Sequence, residues 1–291
     1  MKKLIVITGQ TGAGKTSLSL QIASHLKRAE IISADSKQVY KEMNIGTDKI
    51  DDMQGIPHHL LNLVEPDQTF TVADFKKRAR QKIKDIQQKN KVPILCGGSY
   101  FYIKAVVDGL VLPQVAPDWN FRKKKNKLSE QKLFEELKDK DPRRAKSIDK
   151  HNKRRLVRAL EIIEKTGKPV PELNKEPLNY PVLMLALKIE KEELHRRIDK
   201  RVDKMVNKGL KDEARKLLNN YNRTPLETIG YKEWEPHFKE EKSENQVIEE
   251  IKTNTKQFSK KQKNWLKKDD RLIWVETFKE AKERVGSYIK N

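Results

Sequence analysis

The amino-acid sequence predicts an α/β fold in which a parallel β-sheet is covered by helices on both faces and an all-helical subdomain is inserted into that core. Three observations predict it. Short apolar runs alternate with helical periodicity over residues 1–112. A glycine-rich loop joins the first such run to the first helical stretch. From about Pro113 to Pro181 the texture turns charged and helical with no convincing strand, which sets an insertion at 113–181 between core segments 1–112 and 182–291.

Taken in order, Leu4 to Thr8 is a β-rich run, too short for a signal-peptide core or a membrane span. Leu18, Ile22 and Leu26 then recur at helical spacing. Glu30 to Ser33 is a second short strand, ending just before Asp35. Thr71 with Asp74 forms an N-cap signal for a helix reaching about Gln88, and Val92 to Cys96 reads as another buried strand closed by Gly97 and Gly98. Ligands of parallel sheets gather beyond the C-terminal strand ends, so Gly9, Asp35 and Gly97 are expected on one rim. Beyond the insertion, Val182 to Ile189 reads as a returning core strand and Lys191 to Lys208 as a long helix ended by Gly209. The remainder is basic and helical, with Leu272 to Val275 a possible last strand.

Composition narrows the function. The 291 residues carry 63 Lys plus Arg against 42 Asp plus Glu, a formal charge of +21. Such an excess, clustered rather than spread, points to a polyanionic partner such as nucleic acid. The single Cys96 lies in an apolar run, which excludes a disulfide framework and a cysteine zinc site and suits a reducing, cytoplasmic setting. No membrane partner is expected, and a monomer is.

Gly9-Gln10-Thr11-Gly12-Ala13-Gly14-Lys15-Thr16 matches the P-loop pattern GxxxxGK[ST] at every fixed position and lies between an expected strand and helix, giving a P-loop NTPase-like core. Backbone N–H groups of such a loop wrap phosphate oxygens, Lys15 adds a positive charge, and the Thr16 hydroxyl can ligate Mg²⁺. The motif recognises phosphates, not a nucleobase. The strand Val92 to Cys96 ends in Gly-Gly, where a nucleotide hydrolase usually places a metal-binding aspartate. Asp35, just past a strand on the same rim, can be a general base or merely a cap. A small P-loop kinase, with Asp35 deprotonating an acceptor hydroxyl, is the competing reading.

Arg201 shares a helix face with Leu194, Ile198 and Met205. A guanidinium within an apolar stripe either snorkels to water or reaches a buried anion, and Arg197, one turn earlier, is its alternate. Two further clusters suit a polyanion: Lys153 to Arg155 with Arg158, and the stretch from Thr255 to Lys268 containing Lys260 and Lys261. Phe258 and Trp265, seven residues apart on that stretch, share a face more typical of core packing than of base stacking.

Together these segments resemble the tRNA dimethylallyltransferases, also called tRNA isopentenyltransferases. The resemblance rests on the P-loop, Ser33-Ala34-Asp35-Ser36 with Gln38-Val39-Tyr40, Asn44-Ile45-Gly46-Thr47, Pro57-His58-His59-Leu60, Gly97-Gly98-Ser99 with Tyr102, Arg155 to Glu161, Ile229-Gly230-Tyr231-Lys232-Glu233, and Lys260-Lys261-Gln262 with Trp265. It implies that Gly9 to Thr16 and Arg201 hold the diphosphate of dimethylallyl diphosphate with Mg²⁺ at Thr16. The allyl group would pass to the exocyclic amine of the adenine 3′ of the anticodon, with Asp35, Lys15, Thr16 and Arg201 catalytic. It further implies that Asp35, Ser36, Lys37, Gln38, Ser99 and Arg154, Arg155, Leu156, Val157 and Arg158 touch tRNA, with Arg122 joining them. Lys260 and Lys261 would line a backbone groove. Ser99 stands where the family usually has threonine, and Lys256 and Lys261 where it has arginines, which removes guanidinium forks but no catalytic group. One cysteine cannot build the zinc finger of many eukaryotic relatives, so a bacterial-type enzyme is implied.

Overall fold

The computed structural model describes residues 2–222 and 224–290. It divides into two compact units, the first formed by Met1–Gly109 with Pro177–Asn291 and the second by Leu110–Glu176. The second begins and ends a few residues before the limits expected from texture. Its entry and exit strands pair in an antiparallel bridge between Leu110 and Lys175, backed by the Val111 N–H on the Asn174 carbonyl. That pairing fixes the ends of the insertion, and prolines do not announce it.

The first unit is built on six strands: β1 Leu4–Gly9, β2 Ala29–Ser33, β3 His58–His59, β4 Val92–Gly97, β5 Val182–Leu187 and β6 Ile273–Val275. All pair in parallel, in the order β3-β2-β4-β1-β5-β6. Every residue of β1, β2 and β4 is buried, as continuous apolar runs require when helices cover both faces. On one face pack α1, Lys15–Leu26, and the C-terminal helix Phe278–Lys290; on the other pack α2, Val72–Gln88, and α3, Tyr100–Val107. The start of α2 is a capping box: Thr71 Oγ1 accepts the Asp74 N–H, and the Asp74 carboxylate accepts the Thr71 N–H. Phe75 on α2 is fully buried and stacks on Tyr102 of α3 with ring centroids 4.2 Å apart. Burying that ring contributes about 1.5–3 kcal/mol, and Phe75→Ala would leave a cavity between α2 and α3.

In the second unit four helices, α4 Trp119–Lys125, α5 Glu130–Lys140, α6 Pro142–Ser147 and α7 Lys153–Thr166, enclose their own core of Leu133, Leu137, Leu156, Val157 and Leu160. The remaining helices belong to the first unit: α8 Lys191–Asn207, α9 Leu210–Asn220, α10 Thr224–Glu227, a 3₁₀ turn Lys232–Trp234, α11 Glu235–Phe238, α12 Glu244–Leu266 and, as α13, the C-terminal helix. A third cluster, around Met43, Val202, Leu210, Tyr231, Trp234 and Ile251, joins α8, α9 and α12 to the loop after β2. Among the described residues no helix is long and apolar enough to cross a membrane.

One strand is added and one expectation changes. The edge strand β3 has two residues and leaves no periodic trace in the sequence. Phe258 and Trp265 do not pack in a core: they are 45% and 46% exposed. The buried face of α12 instead carries Val247, Ile251, Ser259, Gln262 and Leu266. Sequence spacing puts the two aromatics on one side of the helix, but the docking partner decides which side is covered.

Candidate active site

The rim of the first unit is set by strand register. Thr8 pairs with Gly97, Ser33 with Cys96, and Gly9 with Leu187, so the P-loop, Asp35 and the Gly97-Gly98-Ser99 turn leave the sheet at one level. Gly97 is obligatory here: a Cβ on it would lie 2.1 Å from the Ala34 carbonyl oxygen. The glycine pair after β4 therefore admits the β2 turn that carries Asp35. An acidic residue at Gly97 could not fit, which gives a physical reason for the missing metal-binding aspartate.

The loop Gly9 to Thr16 wraps from β1 into α1. Gly14 caps α1 with φ 95°, a left-handed conformation that suits glycine. The N-terminus of α1 opens at Lys15 and the exposed Thr16, with no side-chain cap on the helix, so its first N–H groups and dipole face the rim. Lys15 Nζ donates to the Gln10 carbonyl at 2.8 Å. Burial lowers its pKa to about 8, with the nearby Arg201 pushing the same way and Asp35 and Asp48 opposing.

Two arginines of α8 reach this loop. Arg201 Nη1 donates to Thr11 Oγ1 at 2.7 Å, and its Nε lies 3.3 Å from the Asp48 carboxylate. The side chain is 24% exposed, held over the loop by Leu194 and Ile198, which approach Gly12. Arg197, the alternate, lies with Nη1 3.6 Å from the position of a Cβ on Gly14, while its Nε pairs with Glu193 at 2.7 Å. Both arginines thus border the loop, and Arg201 has the weaker carboxylate partner.

Asp35 sits half-buried at the β2 end, its Oδ1 accepting the Lys37 N–H at 2.8 Å. It stabilises a turn rather than capping a helix. Ser99 Oγ accepts the Ser36 N–H at 2.9 Å and lies 3.2 Å from Ser36 Oγ, tying the two loops together beside it. Gln38 is engaged internally: its amide donates to the Thr47 and Asp48 carbonyls and its oxygen accepts from Ser33. Lys37 is half-buried on the same turn.

Two more residues complete the rim: Glu213, which the sequence did not single out, and Gln262, which it named only within the segment Lys260-Lys261-Gln262. The Glu213 carboxylate accepts N–H groups from Asn44, Ile45 and Gly46 and the Tyr231 hydroxyl, at 2.7 to 3.1 Å. It thereby shapes the loop that presents Asp48 to Arg201. Gln262 of α12 accepts the Thr11 N–H at 2.7 Å. Both side chains belong to elements far along the chain, and nothing local signals their partners. Lys260 and Lys261 on α12 are exposed.

The second unit holds the other candidate residues. Arg154 and Arg155 are exposed on α7, whereas Leu156 and Val157 are buried in the helical core. Arg158 and Arg122 both bond Glu161, Arg122 at 2.7 and 2.8 Å, and Glu161 is fully buried. Burial raises the pKa of Glu161, but bonds from Arg122, the Asp118 N–H and Arg158 outweigh it and hold the carboxylate below its ordinary range. Of this stretch, Arg154 and Arg155 present side chains to the outside, while Leu156, Val157, Arg158 and Arg122 organise the fold.

Among the described residues no group of three His, Cys, Asp or Glu side chains could hold a metal by itself. A magnesium ion commonly binds through one or two protein oxygens together with substrate phosphates. The exposed Thr16 hydroxyl beside the loop, with Asp35 on the same rim, fits that mode.

The family described as IPP transferase matches residues 38–269 of this chain. The tRNA dimethylallyltransferase of Thermoanaerobacter sp. is 39% identical over 99% of the chain and 96% of the relative, and that of Dictyoglomus turgidum is 38% identical over 99% and 91%. The crystal structure of the full-length tRNA isopentenylpyrophosphate transferase from Bacillus halodurans superposes with TM-score 0.73 at 34% identity, covering all of this chain and 96% of that one. A eukaryotic dimethylallyltransferase acting on tRNA superposes with TM-score 0.79 at 29% identity, covering 99% and 78%. Family match, full-length likeness to solved relatives and the P-loop rim agree, and the chain belongs to the IPP transferase family, the tRNA dimethylallyltransferases.

Proposed function

We propose that this chain transfers a dimethylallyl group from dimethylallyl diphosphate to the exocyclic amine of the adenine immediately 3′ of the anticodon in tRNA, releasing pyrophosphate. The observation that carries the reading is the rim itself: a complete P-loop bordered by two arginines, a carboxylate on the same rim, and Gly97-Gly98 at the end of β4 in place of an acidic residue that would support nucleotide hydrolysis. The family's members named tRNA dimethylallyltransferase support the same chemistry and not the kinase reading.

The adenine amine is a weak nucleophile because its lone pair is delocalised into the ring. Asp35 takes its proton as the new C–N bond forms, a contribution on the order of 10²–10⁴ in rate. The allylic C–O bond breaks with its electron pair leaving on pyrophosphate, whose growing charge meets the loop N–H groups, Lys15 and Arg201. Thr16 would hold magnesium together with the diphosphate, and the ion would supply further charge neutralisation there. The target base must leave its stack to reach the rim. Exposed Arg154, Arg155, Lys260 and Lys261 are the groups offered to the RNA backbone, and the net charge of +21 favours their encounter with it.

The deciding experiment follows radiolabel from dimethylallyl diphosphate into unmodified tRNA carrying that adenine, with Mg²⁺, and runs ATP in parallel as donor. Label in the tRNA from the allyl donor establishes the reaction. ATP consumption without labelled tRNA moves the protein to the kinases.

A further inference from the structure

Gln262 lies on the buried face of α12, 8% exposed, and both ends of its carboxamide are used. Its oxygen accepts the Thr11 N–H at 2.7 Å and its nitrogen donates to the Gly98 carbonyl at 3.0 Å. The chemistry of these partners fixes which end is which, since one can only donate and the other only accept. One helical turn earlier, the Ser259 carbonyl accepts from Gln10 Nε2 at 3.1 Å. Two successive residues of the P-loop are thus bonded to α12.

The position of the carboxamide within the loop matters more than its bonds. A Cβ placed on Gly98 would lie 2.6 Å from Gln262 Nε2 and 3.6 Å from Lys15 Nζ, so the carboxamide and the P-loop lysine both border Gly98. In P-loops the backbone N–H groups cradle the inner phosphates and the lysine reaches the outer ones. Gln262 therefore borders the loop on the side of its lysine, with the N–H of Thr11 already engaged. A third phosphate, reaching past the lysine, would have to displace the carboxamide and leave the Gly98 carbonyl and the Thr11 amide without their present partner.

We infer that Gln262 is a specificity residue that limits this P-loop to two-phosphate ligands and excludes nucleoside triphosphates. The inference rests on the diphosphate reading of the loop and explains how a P-loop with every fixed residue in place can ignore ATP.

Calorimetric titration of the full chain with pyrophosphate and with tripolyphosphate, both with Mg²⁺, tests it in the wild type, Gln262→Ala and Gln262→Asn. Tripolyphosphate carries more charge and gains more from a cationic protein, so the ratio of the two affinities is the readout. Wild type is expected to favour pyrophosphate, and both variants to shift the ratio toward tripolyphosphate on the order of 10–100-fold. Asn retracts the carboxamide by one methylene with little change in polarity, which keeps the test available should the alanine variant fold poorly. An unchanged ratio, or a parallel loss of both affinities, overturns the role of Gln262 while leaving the diphosphate site standing. Failure of wild type to bind pyrophosphate overturns the diphosphate reading and this inference with it.

Discussion

The half-buried arginines of the second unit and Arg201 of the first differ in their partners. In the second unit Arg122 and Arg158 close on Glu161, a carboxylate with no exposed surface. In the first unit Arg201 leans on a hydroxyl and, at 3.3 Å, on Asp48, whose side chain is 55% exposed. A guanidinium locked to a buried carboxylate has its charge satisfied and acts as structure. One held by a neutral hydroxyl and a solvated carboxylate keeps charge available for an incoming anion. Burial of an arginine in a basic stretch does not by itself mark a binding residue; the burial of its counter-ion separates the two roles.

The strongest way to sharpen this contrast is through the rim carboxylate. Asp35→Ala is expected to lower transfer by roughly 10²–10⁴-fold with thermal stability and tRNA affinity little changed; near-normal turnover in a single-turnover assay would remove Asp35 from the chemistry. Next, Arg201→Ala should weaken pyrophosphate binding about 10–100-fold, the worth of a charged hydrogen bond at a partly dry site, and Arg201→Lys should recover only part of it for want of the planar fork. Calorimetry reads the effect, and a lost tRNA complex with unchanged diphosphate affinity would reverse the assignment.

On the other side of the comparison, Glu161→Ala should destabilise the fold by about 3 kcal/mol, the low end for breaking a buried pair because both arginines keep some solvent contact. Denaturant unfolding of the full chain measures it, and a change below experimental error would show that the cluster is not structural.

A smaller effect comes from pH. Lys15, held to about 8 by burial, is charged in the free site below that pH and loses its charge above it. Diphosphate affinity is therefore full below pH 8 and falls by up to about tenfold per unit as pH rises past it. The stability contribution runs the other way. The unfolded chain holds the Lys15 proton up to its ordinary value of 10.5, so the cost of burying the charge is complete below pH 8 and fades as pH climbs toward 10.5. A pyrophosphate affinity that is flat from pH 7 to 9.5 would contradict this. Smallest of all, Phe258→Ala, on the exposed face of α12, should alter thermal stability by no more than about 0.5 kcal/mol. A large loss would restore the aromatic pair to a packing role.

Much of the molecule was legible in the chain itself. Apolar runs of strand length marked β1, β2, β4 and β5, and the Thr71–Asp74 cap fixed the start of α2, because period, burial and capping are local properties of sequence. The P-loop and the placement of Asp35 at a strand end followed from spacing alone, and the glycine pair after β4 was visible before its reason was. What the tertiary structure decided is everything that depends on which distant element arrives. It gave Arg122 and Arg158 a buried carboxylate and gave Arg201 a solvated one. It turned the polar edge of α12 inward so that Gln262 meets Thr11, leaving Phe258 and Trp265 exposed, and it brought Glu213 to the Asn44–Gly46 amides. A side chain's identity fixes what it can donate or accept, but its partner is set by packing across long sequence separations, where local patterns carry no information.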